Sequence, residues 1–254
     1  MKVRILGSGT SSGVPRIGND WGTCDPDEPR NARTRASILV EHEGHRVLVD
    51  TSPDMRRQLL DADISAIDAV VWTHDHADHC HGIDDLRQLF HAAGQPVRGL
   101  AQPATLRALE QRFAYVFAGK GEYPPVVSAE QLPDHWTCGT MTIDVVEQPH
   151  GNIASAGLRF SADGKTIGYA TDFHAMTDLM ADLYSGLDLW IVDALRRRPH
   201  PSHPDLDTVL GWIRDLAPKR AVLIHMDQTM DYASLRATLP QGVEPGYDGL
   251  EVAL

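Results

Sequence analysis

The sequence predicts an α/β (α+β) domain whose layered sheet carries its chemistry along one edge. Three observations predict it. Short apolar runs of strand length alternate with longer stretches of helical length. Two hairpins are marked by Glu43-Gly44 and by Ala162-Asp163-Gly164-Lys165. His or Asp residues recur where the apolar runs stop: His74, His150, Asp172, Asp193 and His225 each stand just past a predicted strand. One such residue means little alone. Several at the strand ends of a layered sheet can converge on one edge, even when far apart in sequence.

In chain order, residues 3–6 form a first strand. The loop Gly7-Ser8-Gly9-Thr10-Ser11-Ser12-Gly13-Val14-Pro15 lacks the ending of a P-loop and the spacing of a dinucleotide fold, so it reads as a structural turn. Residues 19–35 are polar and irregular. Strands 36–41 and 45–49 pair through the first hairpin, with His42 and His45 read as solvated residues beside the turn. Asp50 ends the second strand as a turn residue or as a partner that orients a metal-bound histidine. A helix over 53–62 opens on Pro53, which suits a first turn. Strand 69–72 leads into the central motif, and a helix follows over 83–92. Strand 97–101 and a helix over 103–115 come next. Residues 113–127 carry four aromatic side chains and Pro124-Pro125, and suit either packing or a lid over substrate. Strand 142–147 precedes His150. Strands 154–160 and 166–170 form the second hairpin, and strand 187–192 ends at Asp193. A helix over 205–216, strand 220–224, a helix over 232–239 and a closing strand over 249–254 complete the chain. No Gly/Ser linker or internal repeat divides it, so residues 1–254 are expected to form a single domain.

Composition excludes several classes. With 42% apolar residues and no long apolar run, the chain reads as soluble, without a membrane span. Its polar first residues do not resemble a signal peptide, so a cytoplasmic protein is expected. The net charge of −12 argues against a general nucleic-acid binder. Cys24, Cys80 and Cys138 are too few and too scattered for a disulfide framework. Cys80 adjoins His79 but is expected to be a small buried filler pointing away from any site.

The densest chemistry lies in Trp72-Thr73-His74-Asp75-His76-Ala77-Asp78-His79, where six residues hold three histidines and two aspartates. His74 and His76 are two apart and can face one way at a strand end. Imidazole and carboxylate are good ligands for first-row metals, and Asp78 with His79 can serve a second ion.

These residues, with Asp50, His150, Asp172 and His225 in that order, resemble the metallo-β-lactamase superfamily over nearly the whole chain. The resemblance implies a four-layer αββα sandwich with two divalent metal ions, zinc or manganese with iron an alternative, at one edge. It puts His74, His76 and His150 on one ion, Asp78, His79 and His225 on the other, and Asp172 between them. Lactam-hydrolysing members have cysteine at the Asp172 position, and the oxygen-reducing branch has glutamate at the His76 position, so neither chemistry is expected. Pro201-Ser202-His203-Pro204-Asp205-Leu206-Asp207-Thr208, the opening glycine-rich loop and Gly246-Tyr247-Asp248-Gly249 are similar to the PhnP-type phosphodiesterases of phosphonate breakdown. That narrower likeness implies hydrolysis of a small phosphorylated substrate such as phosphoribosyl 1,2-cyclic phosphate. His203 would assist catalysis, and Asp78 would also position the attacking water. Members of that group can carry a further zinc site near residue 24; with Cys24 alone in its stretch, that site is expected to be missing.

Arg196-Arg197-Arg198 could reach a phosphate but reads better as a solvated charge run. Rival readings are a transfer-RNA 3′-processing nuclease, a thioester hydrolase and a non-catalytic metal scaffold. The first lacks a basic arm here, the second has no need of His203, and the third would be expected to have lost ligands. The sequence leaves the oligomeric state open, a homodimer included. His174, two residues after Asp172, is the remaining histidine best placed to support a ligand.

Overall fold

The computed structural model describes residues 1–254. Two seven-stranded sheets lie face to face with helices on both outer surfaces, the four-layer αββα sandwich. The first sheet contains β1 (Lys2–Gly7), β2 (Ser37–His42), β3 (His45–Val49), β4 (Ala69–Trp72), β5 (Val97–Ala101), β6 (Val127–Gln131) and β14 (Glu251–Ala253), in the order β14-β1-β2-β3-β4-β5-β6. The second contains β7 (His135–Cys138), β8 (Met141–His150), β9 (Ile153–Ala162), β10 (Lys165–Ala170), β11 (Leu189–Asp193), β12 (Ala221–Ile224) and β13 (Val243–Pro245), in the order β13-β12-β11-β10-β9-β8-β7. No helix is long and apolar enough to cross a membrane.

Side-chain alternation decides the layering. On β3, Val47 and Val49 face the opposite sheet, and Leu48 faces the helices. On β4, Ala69 and Val71 point inward while Val70 and Trp72 point outward, so the strand is apolar throughout because both its faces are covered. On β11, Leu189 and Ile191 enter the sheet interface, whereas Trp190 and Val192 meet the other helix layer. The first helix layer holds α1 (Met55–Asp61), α2 (Ala77–Cys80), α3 (Leu86–Ala93), α4 (Pro103–Arg112) and α5 (Ala114–Ala118). The second holds α6 (Asp178–Tyr184), α7 (Leu206–Leu216) and α8 (Tyr232–Thr238). Asp205 caps α7 by accepting from Thr208 N at 2.9 Å.

The sequence expectations missed β6, β7, β13, α2 and α6, all seven residues or shorter. The expected helix over 103–115 ends at Arg112 and restarts at Ala114. In the 113–127 segment Val116, Val126 and Val127 are buried and Phe113 and Phe117 pack on the same core, so it serves chiefly as packing. His42 is buried rather than solvated, with Nε2 3.6 Å from Asp163 Oδ2.

The C-terminal loop is tied to the glycine-rich loop through one carboxylate. Asp248 Oδ1 accepts from Ser8 N and Oγ at 2.9 and 2.8 Å, and Oδ2 accepts from Thr34 N and Oγ1 at 2.7 and 2.6 Å. Burial nevertheless pushes the carboxyl up to about 6. Because this folded value exceeds the unfolded one of about 3.9, the stabilisation is full below about pH 3.9 and is lost as pH rises through about 6, roughly 3 kcal/mol in all. Asp248→Asn removes this titration. The stability of the wild type relative to that variant, from urea unfolding, is expected to fall by roughly 2 kcal/mol between about pH 4 and pH 7. A pH-independent difference would contradict the assignment.

Candidate metal centre

One edge of the sandwich gathers the strand-end residues. β4 delivers His74 through the turn to α2, whose first residues place Asp78 and His79. Gly82 lets this turn close: a Cβ there would lie 1.9 Å from Ser52 O. β8 ends at His150, while Asp172 follows β10 and His225 follows β12. Asp50, Asp172 and His225 have φ of 65°, 55° and 57°, the left-handed region uncommon for residues other than glycine. Such backbone costs of order 1–3 kcal/mol per residue and persists where surrounding structure enforces it. Here it turns the chain sharply at the strand end.

The donor atoms form two adjoining clusters, and a third group, Asp172, Asp193, His203 and His225, overlaps both. His74, His76, His150 and Asp172 make one, and Asp78 and His79 with His225 make the other. Asp172 divides its oxygens between them. Oδ1 lies 3.8 Å from His74 Nε2 and 3.6 Å from His150 Nε2, and His150 Nε2 lies 3.3 Å from His76 Nδ1. Oδ2 lies 3.1 Å from His79 Nε2 and 3.5 Å from His225 Nε2. Asp78 Oδ2 completes the second cluster, 3.3 and 3.5 Å from the same two nitrogens. A tetrahedral ion bound at about 2.0–2.1 Å holds its ligand atoms roughly 3.3–3.4 Å apart, and the separations here, 3.1 to 3.8 Å, scatter around that value. His74, His79 and His225 are buried, and their Nε2 atoms have no hydrogen-bond partner. His76 is exposed and forms the rim.

The other ring nitrogens are held by partners. His79 Nδ1 donates to Asp50 Oδ2 at 2.7 Å, so Asp50 orients a ligand histidine. His74 Nδ1 donates to Thr73 Oγ1 at 3.0 Å, and that hydroxyl donates in turn to Asp50. His150 Nδ1 donates to Ser202 O at 3.0 Å. Each contact leaves an Nε2 lone pair facing the cluster. Thr171 Oγ1 donates to Asp172 Oδ2 at 2.6 Å.

Electrostatics make the same demand. Asp50, Asp78, Asp172 and Asp193 are buried carboxylates whose only ionic partners are histidines; no Lys or Arg reaches them. Uncompensated buried charge is costly. Burial alone would raise Asp172, but the His225 and His79 rings outweigh it and hold the carboxyl well below its usual range. Burial would also depress His225, yet Asp172 and Asp193 lift it to about 9. Burial instead pushes His74 and His150 down, so protons are drawn onto His79 and His225, the rings nearest Asp78 and Asp172 Oδ2, where a cation would fit.

His203 stands beside both clusters. Its Nδ1 donates to Asp193 Oδ2 at 2.7 Å, its Nε2 lies 3.8 Å from Asp172 Oδ1, and its ring stacks on His225 with centroids 4.9 Å apart. Asp193 also accepts from Asp172 N at 3.2 Å, so one carboxylate positions both residues. Sequence reading placed Asp193 at a strand end without this role, and gave none to Thr73, Thr171 or Ser202. Asp75 is held away from the cluster: Arg112 on α4 takes its carbonyl and its carboxylate, the latter at 2.8 Å. Cys80 faces the Asp75 carbonyl, and burial pushes its thiol up to about 11. Cys24 Sγ sits 3.7 Å from Arg33 Nη1. His174 is exposed and touches the Gly151 backbone amide, not a ligand. The Arg196 guanidinium is occupied by the carbonyls of Arg198 and Pro199.

Residues 45–226 match the beta-lactamase superfamily domain. The structure also superposes on a PhnP-family diphosphatase with a TM-score of 0.90 and 34% identity, covering 99% of this chain and 96% of the other. The chain belongs to the β-lactamase superfamily, in its PhnP-like branch. Its architecture is the metallo-β-lactamase fold. Zn(2+)-bound PqqB from Methylobacterium extorquens shares the fold at 21% identity and a TM-score of 0.80, each chain covered completely. An octanoyltransferase of Porphyromonas gingivalis is 32% identical over all of this chain and 52% of its own length. A ribonuclease Z of Bradyrhizobium diazoefficiens is 27% identical over 61% of this chain and 51% of its own. The chain thus spans about half the length of the curated relatives it matches.

Because the clusters share only Asp172, they should empty separately. His150→Ala and His225→Ala are each expected to lower the metal content of the purified protein by about one ion per chain, measured by elemental analysis, since loss of one of four ligands weakens one site. Full occupancy in both variants would contradict the ligand assignment.

Proposed function

We propose that this protein is a dinuclear metal-dependent phosphodiesterase acting on a small, cyclic phosphodiester such as phosphoribosyl 1,2-cyclic phosphate. The observation that carries the reading is the Asp193–His203 pair, whose 2.7 Å contact holds the His203 ring beside Asp172. His74, His76, His150 and Asp172 would hold one ion, and Asp78, His79, His225 and Asp172 the other. When bound, two such ions supply charge stabilisation for the phosphoryl group and bring water ionisation to near-neutral pH.

The protein groups do the positioning. Asp193 fixes the His203 ring so that Nε2 faces the space beside Asp172, where a leaving oxygen can take its proton. Asp78, on the first turn of α2, supplies a carboxylate oxygen that can orient the attacking water. Asp50, Thr73 and Ser202 keep the ligand rings from turning. The chain's cysteines are all buried outside the clusters, so the site offers hydrolytic rather than thiol chemistry.

A second reading, a diphosphate bond as substrate, is favoured by the similarity to the PhnP-family diphosphatase. Precursor tRNA is disfavoured by the net charge of −12 and the lack of a Lys/Arg-rich insertion. Turnover on a cyclic ribose phosphate, a dinucleoside diphosphate, a precursor tRNA and a thioester separates these; preference for either of the last two would overturn the proposal. His203→Ala is expected to lower kcat on the preferred phosphodiester by about 10²-fold or more while metal content stays unchanged. Unaltered turnover would remove His203 from the mechanism.

A further inference from the structure

A separate set of metal donors lies at the opposite edge of the sandwich. Asp68 stands just before β4, the strand whose far end leads to His74. His45 opens the neighbouring strand β3, and Cys138 closes β7 on the other sheet. A His45 ring nitrogen, an Asp68 oxygen and the Cys138 sulfur all lie within 4.8 Å of one another. None of the three belongs to the clusters around Asp172.

Backbone and side chains both shape this spot. Asp68 Oδ2 accepts from Arg46 N at 2.7 Å, and Oδ1 lies 3.2 Å from His45 Nδ1. Gly139, directly after Cys138, has φ of 58° and lies against the His45 ring: a Cβ there would stand 2.1 Å from His45 Cδ2 and 2.6 Å from Nε2. The two turns are pinned to each other as well, with Thr140 Oγ1 donating to Glu43 Oε2 at 2.7 Å. Cys138 is a free, buried thiol packed in the core between the sheets, whereas His45 and Asp68 are half-buried. The sulfur is therefore fixed, and the other two donors can close on it from the solvent side. Burial and the Asp68 carboxylate push the thiol up to about 11, so it is no free nucleophile. Arg98, a cation that acts on it, is paired with Glu130 at 2.8 Å.

We infer that His45, Asp68 and Cys138 form a further metal site, which takes a zinc-type divalent ion and clamps the two sheets together at the edge away from the Asp172 centre. Thiolate, imidazole and carboxylate are a donor set that zinc accepts. A tetrahedral ion with one sulfur ligand holds such atoms roughly 3.3–3.6 Å apart, so the His45 and Asp68 side chains need to move in by about 1 Å at most. The thiol gives its proton to water as the ion binds. Water fills the fourth position, on the open side between His45 and Asp68. The ion would link β3 and β4 of one sheet to β7 of the other, which is a structural role.

The test uses the full chain, stripped of metal and reloaded with Co(II). The donors of the Asp172 centre are all His and Asp, so a sulfur-to-cobalt charge-transfer band in the near ultraviolet reports a cysteine ligand. The wild type is expected to show that band and to bind about one ion per chain beyond those at the Asp172 centre. Cys138→Ser should lose both the band and that ion. His45→Ala, at a half-buried position, should lower the affinity of the ion that gives the band by about tenfold or more. If Cys138→Ser does not fold, His45→Ala decides alone. No band in the wild type, a band that survives Cys138→Ser, or unchanged affinity in His45→Ala would overturn the site.

Discussion

Asp172 is the constraint on which the site depends. Its two oxygens face two separate groups of nitrogen donors, and it lies fully inside the protein. With Asp50, Asp78 and Asp193 it makes four buried carboxylates whose ionic partners are all histidines. Histidines alone do not comfortably balance that charge. The sandwich therefore gathers His and Asp donors at a place that could hold cations.

The fold meets the constraint by ending strands at one edge and turning them hard. Left-handed backbone at Asp50, Asp172 and His225 stores local strain, which the apolar layers on either side enforce. The supporting contacts tie distant parts of the chain together. Ser202, in the loop after β11, holds His150 from β8. Asp193 holds both Asp172 and His203, so the proposed proton donor and the bridging carboxylate move as a unit. Asp248 similarly ties Ser8 of the glycine-rich loop to Thr34.

Much of the centre was legible in the sequence. The run from His74 to His79 declares itself by density, and His150, Asp172 and His225 by their place after apolar strands. Asp50 was readable as an orienting residue for the same reason. What escaped lacked a local signal. β6 carries Ser, Glu and Gln among its five residues, β7 has four residues and β13 has three with a proline, so their pairing is decided by neighbours. α6 did carry a sign, Thr177 as its cap, but its seven residues are short for a periodic pattern. Burial of His42 depends on Asp163 from the other hairpin, and the roles of Thr73 and Ser202 depend on ring orientations.

The most direct test of the central claim is a crystal structure of the metal-loaded protein with anomalous data at the metal's absorption edge. The account predicts two peaks, one bounded by His74, His76, His150 and Asp172 Oδ1, the other by Asp78, His79, His225 and Asp172 Oδ2. A single peak, or peaks not shared by Asp172, would contradict it.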